Sequence, residues 1–291
     1  MGLCDDVRTR CAAIAEGARF VAIDLGRLGD VEPGPVPVLD PERHFLEGSR
    51  EDVAAYLLAL DAINFGSGWF PTLRRREGCS GYFTVAWALA DQWRAYGPWS
   101  NEELVSLDAG AVADVLGQDP DHELMGLYAG ALRDLGGFLG HRSALEPIES
   151  VDRSAERLAE ELAGGMAFFH DPPFYKRAQI TPSDLALASV VEFDDLDRLT
   201  IFADNVVPHV LRVDGVLRYD PELAAKIDAG ELLEAGSPEE VEIRACAVQA
   251  GELIAARLAV PPRTLDGWLW NRGQAPRYKS LPRHRTRTVF Y

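Results

Sequence analysis

Asp204 stands in the middle of an apolar segment, LTIFADNVVP (199–208), and its surroundings suggest chemistry. A carboxylate among apolar residues is costly to bury unless it is paired or used for function. Such a carboxylate can place a negative charge beside a cation that develops during a reaction. The other interpretation is structural, with Asp204 capping a helix or a turn.

Lys176 and Arg177 are adjacent cations that follow an aromatic-rich run, FFHDPPFY (168–175). A basic pair beside aromatic rings is suited to holding a phosphate or a carboxylate. The alternative is a solvated basic pair at the junction of a loop and a helix.

Polar, aromatic and glycine residues follow one another in DAINFGSGWF (61–70), which contains Asn64 and Phe65. Glycine permits close approach of the backbone to a ligand, and aromatic rings offer a stacking surface. The alternative is the C-terminal cap of a helix with aromatic residues in the core.

A fourth group lies in LDGWLWN (265–271), where Trp268 and Trp270 have Asp266 and Asn271 as polar neighbours. This combination is suited to framing a flat heterocycle. The closing segment HRTRTVFY (284–291) ends an arginine-rich run in aromatic residues, which predicts that it docks onto the body of the protein. The alternative is a basic tail that balances an acidic surface.

The candidate residues are expected to be positioned by helices, whose starts the sequence predicts. Ser49, Ser100 and Ser237 each stand at a helix start, and the last begins a helix with apolar residues at 243, 247, 250 and 254. Thr181-Pro182-Ser183-Asp184 predicts another helix start. Further helices are expected near residues 3–17, 108–116, 121–139 and 151–163.

Strand patterns are few, and only residues 20–23 and 210–213 alternate as short strands do. The sequence shows neither a convincing interdomain linker nor an internal repeat. We therefore expect one mainly α-helical domain over residues 1–291, with at most a few short strands.

The composition argues against several classes of partner and binding site. The 291 residues carry 29 Lys and Arg against 46 Asp and Glu, a net charge of −17, which argues against binding whole tRNA or DNA. Four cysteines and six histidines show no metal-ligand spacing, so no metal is expected. The sequence has neither a membrane-spanning run nor a signal-peptide pattern, and we expect a cytoplasmic location without membrane association.

Taken together, these segments resemble the queuosine salvage protein family, the queuosine 5′-phosphate N-glycosylase/hydrolases, formerly a domain of unknown function. The resemblance extends from about residue 40 to the last residue. It rests on six stretches in the order of the family: DAINF (61–65), FYKRAQI (174–180), LTIFADNVVP (199–208), GSPEEVEIRACAV (236–248), LDGWLW (265–270) and HRTRTVFY (284–291).

The resemblance implies a helical fold reminiscent of the helical DNA glycosylases. It implies hydrolysis of the N-glycosidic bond of queuosine 5′-monophosphate, which releases queuine, a 7-deazaguanine base, for reuse in tRNA modification. No metal or organic cofactor is implied. The substrate is a small molecule, and no nucleic acid or membrane partner is expected.

The resemblance also implies roles for particular residues. Asp204 is the catalytic candidate, either beside the developing ribose cation or as a base acting on water. The substrate-binding candidates surround the base and the phosphate: His44, Asn64, Phe65, Lys176, Arg177, Phe202, Asp266, Trp268, Trp270, Asn271 and Arg285. Of these, Lys176, Arg177 and Arg285 are expected to hold the 5′-phosphate, and Trp268 and Trp270 to wall the site.

The sequence departs from the family pattern at three places, one of which is a short segment between Asn271 and His284. Gly66-Ser67-Gly68 intervene before Trp69, and Asn271 stands where the family often has aspartate, which removes a charge partner for the queuine amine. Two other function classes compete with the hydrolase: a non-catalytic protein that binds queuine or its nucleotide, and a glycosylase acting on a base within nucleic acid.

Overall fold

The computed structural model describes residues 2–291, and the chain is mainly α-helical. The α-helices are α1 (Leu3–Glu16), α2 (Arg50–Ala62), α3 (Gly81–Tyr96), α4 (Asn101–Ser106), α5 (Ala109–Leu116), α6 (Glu123–Leu139), α7 (Glu146–Glu149), α8 (Ala155–Gly165), α9 (Lys176–Leu187), α10 (Val207–Val213), α11 (Pro221–Asp228), α12 (Pro238–Leu258), α13 (Pro262–Arg272) and α14 (Pro276–Lys279). The 3₁₀ turns are Leu25–Asp30, Phe70–Thr72, Ala167–Phe169 and Leu196–Arg198.

The strands are short and form two pairs. They are β1 (Val21–Ile23), β2 (Leu217–Tyr219), β3 (Leu232–Leu233) and β4 (Arg285–Thr286). β1 pairs antiparallel with β2, with Ala22 opposite Arg218, and β3 pairs parallel with β4. The expected fold class, mainly α with a few short strands, is confirmed.

Serine capping starts helices where the sequence predicts it. The Ser49 hydroxyl accepts a hydrogen bond from the Asp52 N–H, and the Asp52 carboxylate accepts one from the Ser49 N–H, which completes a capping box. Ser100 forms the same arrangement with Glu103. Ser237 accepts from the Glu240 N–H at the start of α12.

α12 lies between two hydrophobic clusters. Its predicted stripe, which includes Ile243 and Ala250, is fully buried in one cluster with β1, α10 and α13. Ala245 and Val248 belong to the other cluster, which contains most of α2, α6 and α8. Two buried faces on one helix explain why α12 packs against α1, α10 and α13.

Two local predictions are wrong. Residues 210–213 form the end of α10 rather than a strand, because Pro208 sits in its first turn and the chain there is already helical. Pro182 lies inside α9 rather than at a helix start. Thr181 instead donates its hydroxyl to the Arg177 carbonyl, the back-bond of a residue within a helix (2.9 Å).

Within residues 2–291, none of the helices is both long enough and apolar enough to cross a membrane. The organisation of the chain as one domain stays a prediction.

Candidate active site

A cavity of about 570 Å³ lies where the end of α2, α3, α9, α13 and residues 202–206 meet. This volume is in the range of small-molecule sites. Its wall combines aromatic rings with polar groups, of which Asn64 after α2 and Tyr82 of α3 are half-buried and Lys176 of α9 and Asp266 of α13 are buried.

Asp204 lines this cavity and is held by the backbone. Its Oδ1 accepts hydrogen bonds from the N–H groups of Val206 (2.7 Å) and Val207 (2.9 Å), at the start of α10. Within the described residues Oδ2 has no hydrogen-bond partner. The backbone thus fixes the carboxylate through one oxygen and leaves the other available.

The residues just before Asp204 are fixed from both sides. The Phe202 N–H donates to Asp266 Oδ1 at 2.9 Å, and the Ala203 carbonyl accepts from Arg244 Nε at 2.9 Å. Arg244 is itself buried and forms a two-bond ion pair with Asp171 (2.6 and 3.1 Å). This support explains why VEIR (241–244) accompanies the Asp204 segment, a positioning role that the sequence alone did not reveal.

Lys176 and Arg283 are cations near Asp204. Lys176 is 4 % exposed, and its Nζ donates to the Asn64 carbonyl at 3.1 Å. Burial lowers the pKa of Lys176, and the negative charge of Asp204 opposes that shift. Burial also lowers the pKa of Arg283, again opposed by Asp204. Both residues line the cavity and offer positive charge to an anionic group of a ligand.

Aromatic rings form another part of the cavity wall. Phe65, Phe202, Tyr82 and Trp270 all line the cavity. Trp270 packs edge-to-face on Tyr82, with 5.7 Å between the ring centroids. Such rings suit a flat base.

His44 lies behind Tyr82. Its Nε2 is 3.0 Å from the Tyr82 hydroxyl, and its Nδ1 is 2.9 Å from the Asp40 carbonyl. Burial lowers the pKa of His44, so the imidazole is neutral at pH 7. His44 therefore fixes the Tyr82 ring and reaches the cavity wall itself.

The closing segment, residues 284–291, docks as expected. The Tyr291 carbonyl accepts from the Gly66 N–H at 3.0 Å, and the Tyr291 side chain is 3 % exposed and lines the cavity. A Cβ on Gly68 would lie 2.5 Å from the Thr286 carbonyl oxygen. The inserted glycines that depart from the family pattern thus permit this close contact.

Arg177 is placed differently from the sequence prediction. It is 1 % exposed and does not line the cavity. Its guanidinium donates to the backbone carbonyls of Ala62, Phe168 and Val289, and it stacks on the Phe65 ring. Because these carbonyls accept from both terminal nitrogens of the guanidinium, Arg177 ties α9 to the end of α2 and to the closing segment, and the structure places it outside the cavity for which its phosphate contact was predicted.

Trp268 and Arg285 also lie outside the cavity wall. Trp268 is buried in the α12 and α13 cluster. Trp268 and Trp270 are two residues apart on α13, so their side chains point in directions that differ by roughly 200°. Trp270 lines the cavity, and Trp268 therefore faces away from it. Arg285 lies in β4, where it is paired with Leu232 of β3, and its guanidinium donates to the Gly230 carbonyl at 2.6 Å. The structure thus places Trp268 and Arg285 away from the cavity for which their wall and phosphate roles were predicted.

The structure brings most of the predicted residues to one cavity. Those that line it are His44, Asn64, Phe65, Lys176, Phe202, Asp204, Asp266, Trp270 and Asn271, the last at its exposed rim. Sequence reasoning missed Tyr82, Asp184, Lys279, Arg283 and Tyr291. The signal for Asp184 was its spacing of eight residues from Lys176, which places both on one side of a helix.

The fold and the site define a helical protein with a nucleotide-sized, aromatic-walled cavity that holds buried carboxyl groups. Residues 44–291 match the sequence profile described as queuosine salvage protein. The chain belongs to the queuosine salvage protein family.

Three relatives, each named queuosine 5′-phosphate N-glycosylase/hydrolase, indicate how far the similarity extends. The one from Sphaerobacter thermophilus is 36% identical, over 98% of this chain and 97% of its own length. The one from Mus musculus is 33% identical over 51% of this chain and 52% of its own length. The one from Dictyostelium discoideum is 39% identical over 40% of each.

Proposed function

We propose that this chain hydrolyses the N-glycosidic bond of queuosine 5′-phosphate and releases queuine. The observation that supports this most strongly is the position of Asp204, whose carboxylate is fixed by two backbone N–H groups within a cavity of nucleotide size. The name of the relative matched over nearly the full chain gives the substrate.

The chemistry follows from the charge that develops on the ribose. Breaking the bond between C1′ and the base nitrogen gives the sugar oxocarbenium character. Asp204 places its available oxygen against this charge and either stabilises the cation or captures it as a nucleophile. A carboxylate held before the reaction begins does not have to reorganise, which is why the backbone support matters.

The remaining groups bind the two ends of the substrate. Lys176 and Arg283 hold the 5′-phosphate beside the ribose, with Lys279 at the same cavity. Phe202, Phe65 and Trp270 enclose the base. Asp266 and Asn271 lie on α13, where they meet the polar edge and the amine of queuine.

The proposed substrate is the free nucleotide and not whole tRNA. A net charge of −17 opposes binding of a long phosphate backbone, whereas two or three cations suffice for one phosphate. The proposed location is the cytoplasm, where the four free cysteines stay reduced.

The direct test is incubation of the purified protein with queuosine 5′-phosphate, followed by chromatography for queuine and ribose 5-phosphate. Parallel samples contain tRNA or heparin as competitor. We expect equimolar release of both products with no inhibition by either polyanion. Tight queuine binding without release would assign the chain to the binding class, and strong competition by tRNA would favour a glycosylase acting within nucleic acid.

A further inference from the structure

Asp184 is a buried acid in the cavity wall that the mechanism above does not use. α9 turns Lys176, Ile180, Ser183 and Asp184 towards the cavity, a spacing of four, three and one residues that defines one helix side. Asp184 is 6 % exposed, and its carboxyl group has no hydrogen-bond partner within the described residues. Such a group is unfavourable as an uncompensated anion.

The charges that face Asp184 come from four helices. They are Asp61 on α2, Lys176 on its own helix α9, Asp266 on α13 and the Tyr82 phenol on α3. Lys176 is the cation of this set, and it also faces Asp204 and Asp61. Burial, reinforced by the Asp61 charge, raises the pKa of Asp184 well above its usual range and so favours the protonated carboxyl group.

We propose that Asp184 is the general acid of the reaction and donates its proton to the departing base. This inference rests on the proposed function. It assigns the cavity two carboxyl groups with opposite tasks: Asp204 acts as an anion on the sugar, and Asp184 acts as a neutral acid on the base. Glycosidic chemistry typically uses one carboxyl group as an anion and a second as a neutral acid, and the surroundings of each group set its protonation state.

The base makes such an acid necessary. When the C1′–N9 bond breaks, its electron pair goes into the base, which then needs a proton. Guanine can accept that proton at N7, but a 7-deazaguanine has carbon at this position. The Asp184 proton goes to a ring nitrogen of the base, water adds to C1′, and the proton that water loses returns through solvent to Asp184. The sum is nucleotide plus water giving base plus ribose 5-phosphate.

Neither neighbouring acid is as well placed. Burial also raises the pKa of Asp266 well above its usual range, but its Oδ1 already accepts the Phe202 N–H. Asp61 is 0 % exposed and does not line the cavity. Asp184 alone of the three reaches the cavity with both oxygens free of hydrogen bonds within the described residues.

The test compares Asp184→Asn and Asp204→Asn with the wild type on two substrates. One is queuosine 5′-phosphate. The other is 4-nitrophenyl ribofuranoside 5-phosphate, whose nitrophenolate departs without a proton. We expect Asp184→Asn to lower kcat on queuosine 5′-phosphate by about 10²–10³-fold, and on the nitrophenyl substrate by less than about tenfold. Asp204→Asn should lose activity on both.

Equal losses on the two substrates, or no loss on either, would overturn the role of Asp184. If the wild type does not cleave the nitrophenyl substrate, the pH profile of kcat decides. Asp184→Asn should remove its alkaline limb, and Asp61→Asn should shift that limb to lower pH because the charge that raises the pKa of Asp184 is gone. An unchanged limb in both variants would contradict the proposal. Failure of the wild type to release queuine at all would instead refute the proposed function.

Discussion

Arg283 and Arg285 are two residues apart, but they lie in different parts of the molecule. Arg283 lines the cavity near Asp204, whereas Arg285 donates to the Gly230 carbonyl beside β3. The run of basic residues in the sequence gives no means of choosing between them. The surroundings of the two arginines distinguish them, because only Arg283 lines the cavity and can meet a phosphate there.

We predict that Arg283→Ala raises KM for queuosine 5′-phosphate by about 10- to 100-fold, the cost of one hydrogen bond to a charged group. The KM for the unphosphorylated nucleoside should change little. Steady-state kinetics on both substrates checks this, with Arg285→Ala as the matched control that retains the wild-type KM. A larger effect from Arg285→Ala would contradict the placement of the phosphate.

Lys176 gives the second test of the phosphate site. Lys176→Ala should raise KM for the 5′-phosphate far more than for the nucleoside, because the nucleoside lacks the anion that Lys176 meets. The exposed Lys226, which pairs with Glu239, provides the control Lys226→Ala. Equal effects of Lys176→Ala on both substrates would remove the phosphate role.

At the scale of elements, the closing segment completes the cavity by packing on the loop after α2. Gly68 allows this, since a Cβ there would lie 2.5 Å from the Thr286 carbonyl oxygen. The segment is held further by Arg177, which donates to the Val289 carbonyl at 2.6 Å. The basic tail thus becomes part of the site.

Gly68→Ala should therefore displace the closing segment and lower the free energy of unfolding by about 1–3 kcal/mol, the usual cost of overpacking. We also expect kcat to fall, because Tyr291 lines the cavity. Denaturant unfolding and kinetics measure the two effects. Gly137 is the matched control: it is exposed within α6 with open space around it, so Gly137→Ala should stabilise by about 0.5–1 kcal/mol. Unchanged stability in Gly68→Ala would refute the packing argument.

The sequence predicts helix starts well and the direction of single side chains less well. Capping at Ser49, Ser100 and Ser237 depends on neighbouring residues, and all three starts are confirmed. Whether Arg177 faces a cavity or the core depends on which distant carbonyls surround it, and no local pattern contains that information. Pro182 was misleading for the same reason, because tertiary packing holds it inside α9.

The Asp204 case shows that two sequence interpretations can hold together. The carboxylate caps the start of α10 through Oδ1, as the structural alternative expects. The same residue lines the cavity, as the chemical interpretation expects. Its catalytic role stays a prediction.

At the scale of the whole molecule, the chain buries several carboxyl groups close to one another, among them Asp61, Asp184 and Asp266. Asp61 is 0 % exposed, and burial raises its pKa to about 7, a shift that the positive charge of Lys176 opposes. In the unfolded chain Asp61 loses its proton near pH 4, whereas in the folded chain it retains the proton up to about pH 7. The folded state therefore binds more protons between about pH 4 and pH 7, and stability falls across that interval.

Asp61→Asn should remove the loss of stability that ionisation of Asp61 causes as the pH rises. We expect the variant to be more stable than the wild type at pH 8, with the difference shrinking as the pH falls towards 4. Denaturant unfolding at several pH values measures it. Asp121→Asn, at an exposed loop position, is the matched control. A variant that is less stable than the wild type at pH 8 would contradict the assigned cost of burying Asp61.

The measurement that tests the central claim most directly compares turnover with queuine binding in Asp204→Asn. An asparagine oxygen can still accept from the N–H groups of Val206 and Val207, so the cap is kept and the charge is lost. We predict that queuine release from queuosine 5′-phosphate becomes undetectable while the Kd for queuine, measured by calorimetry, stays within a fewfold of the wild type. Retained turnover would show that another carboxyl group serves the ribose, and would contradict the account.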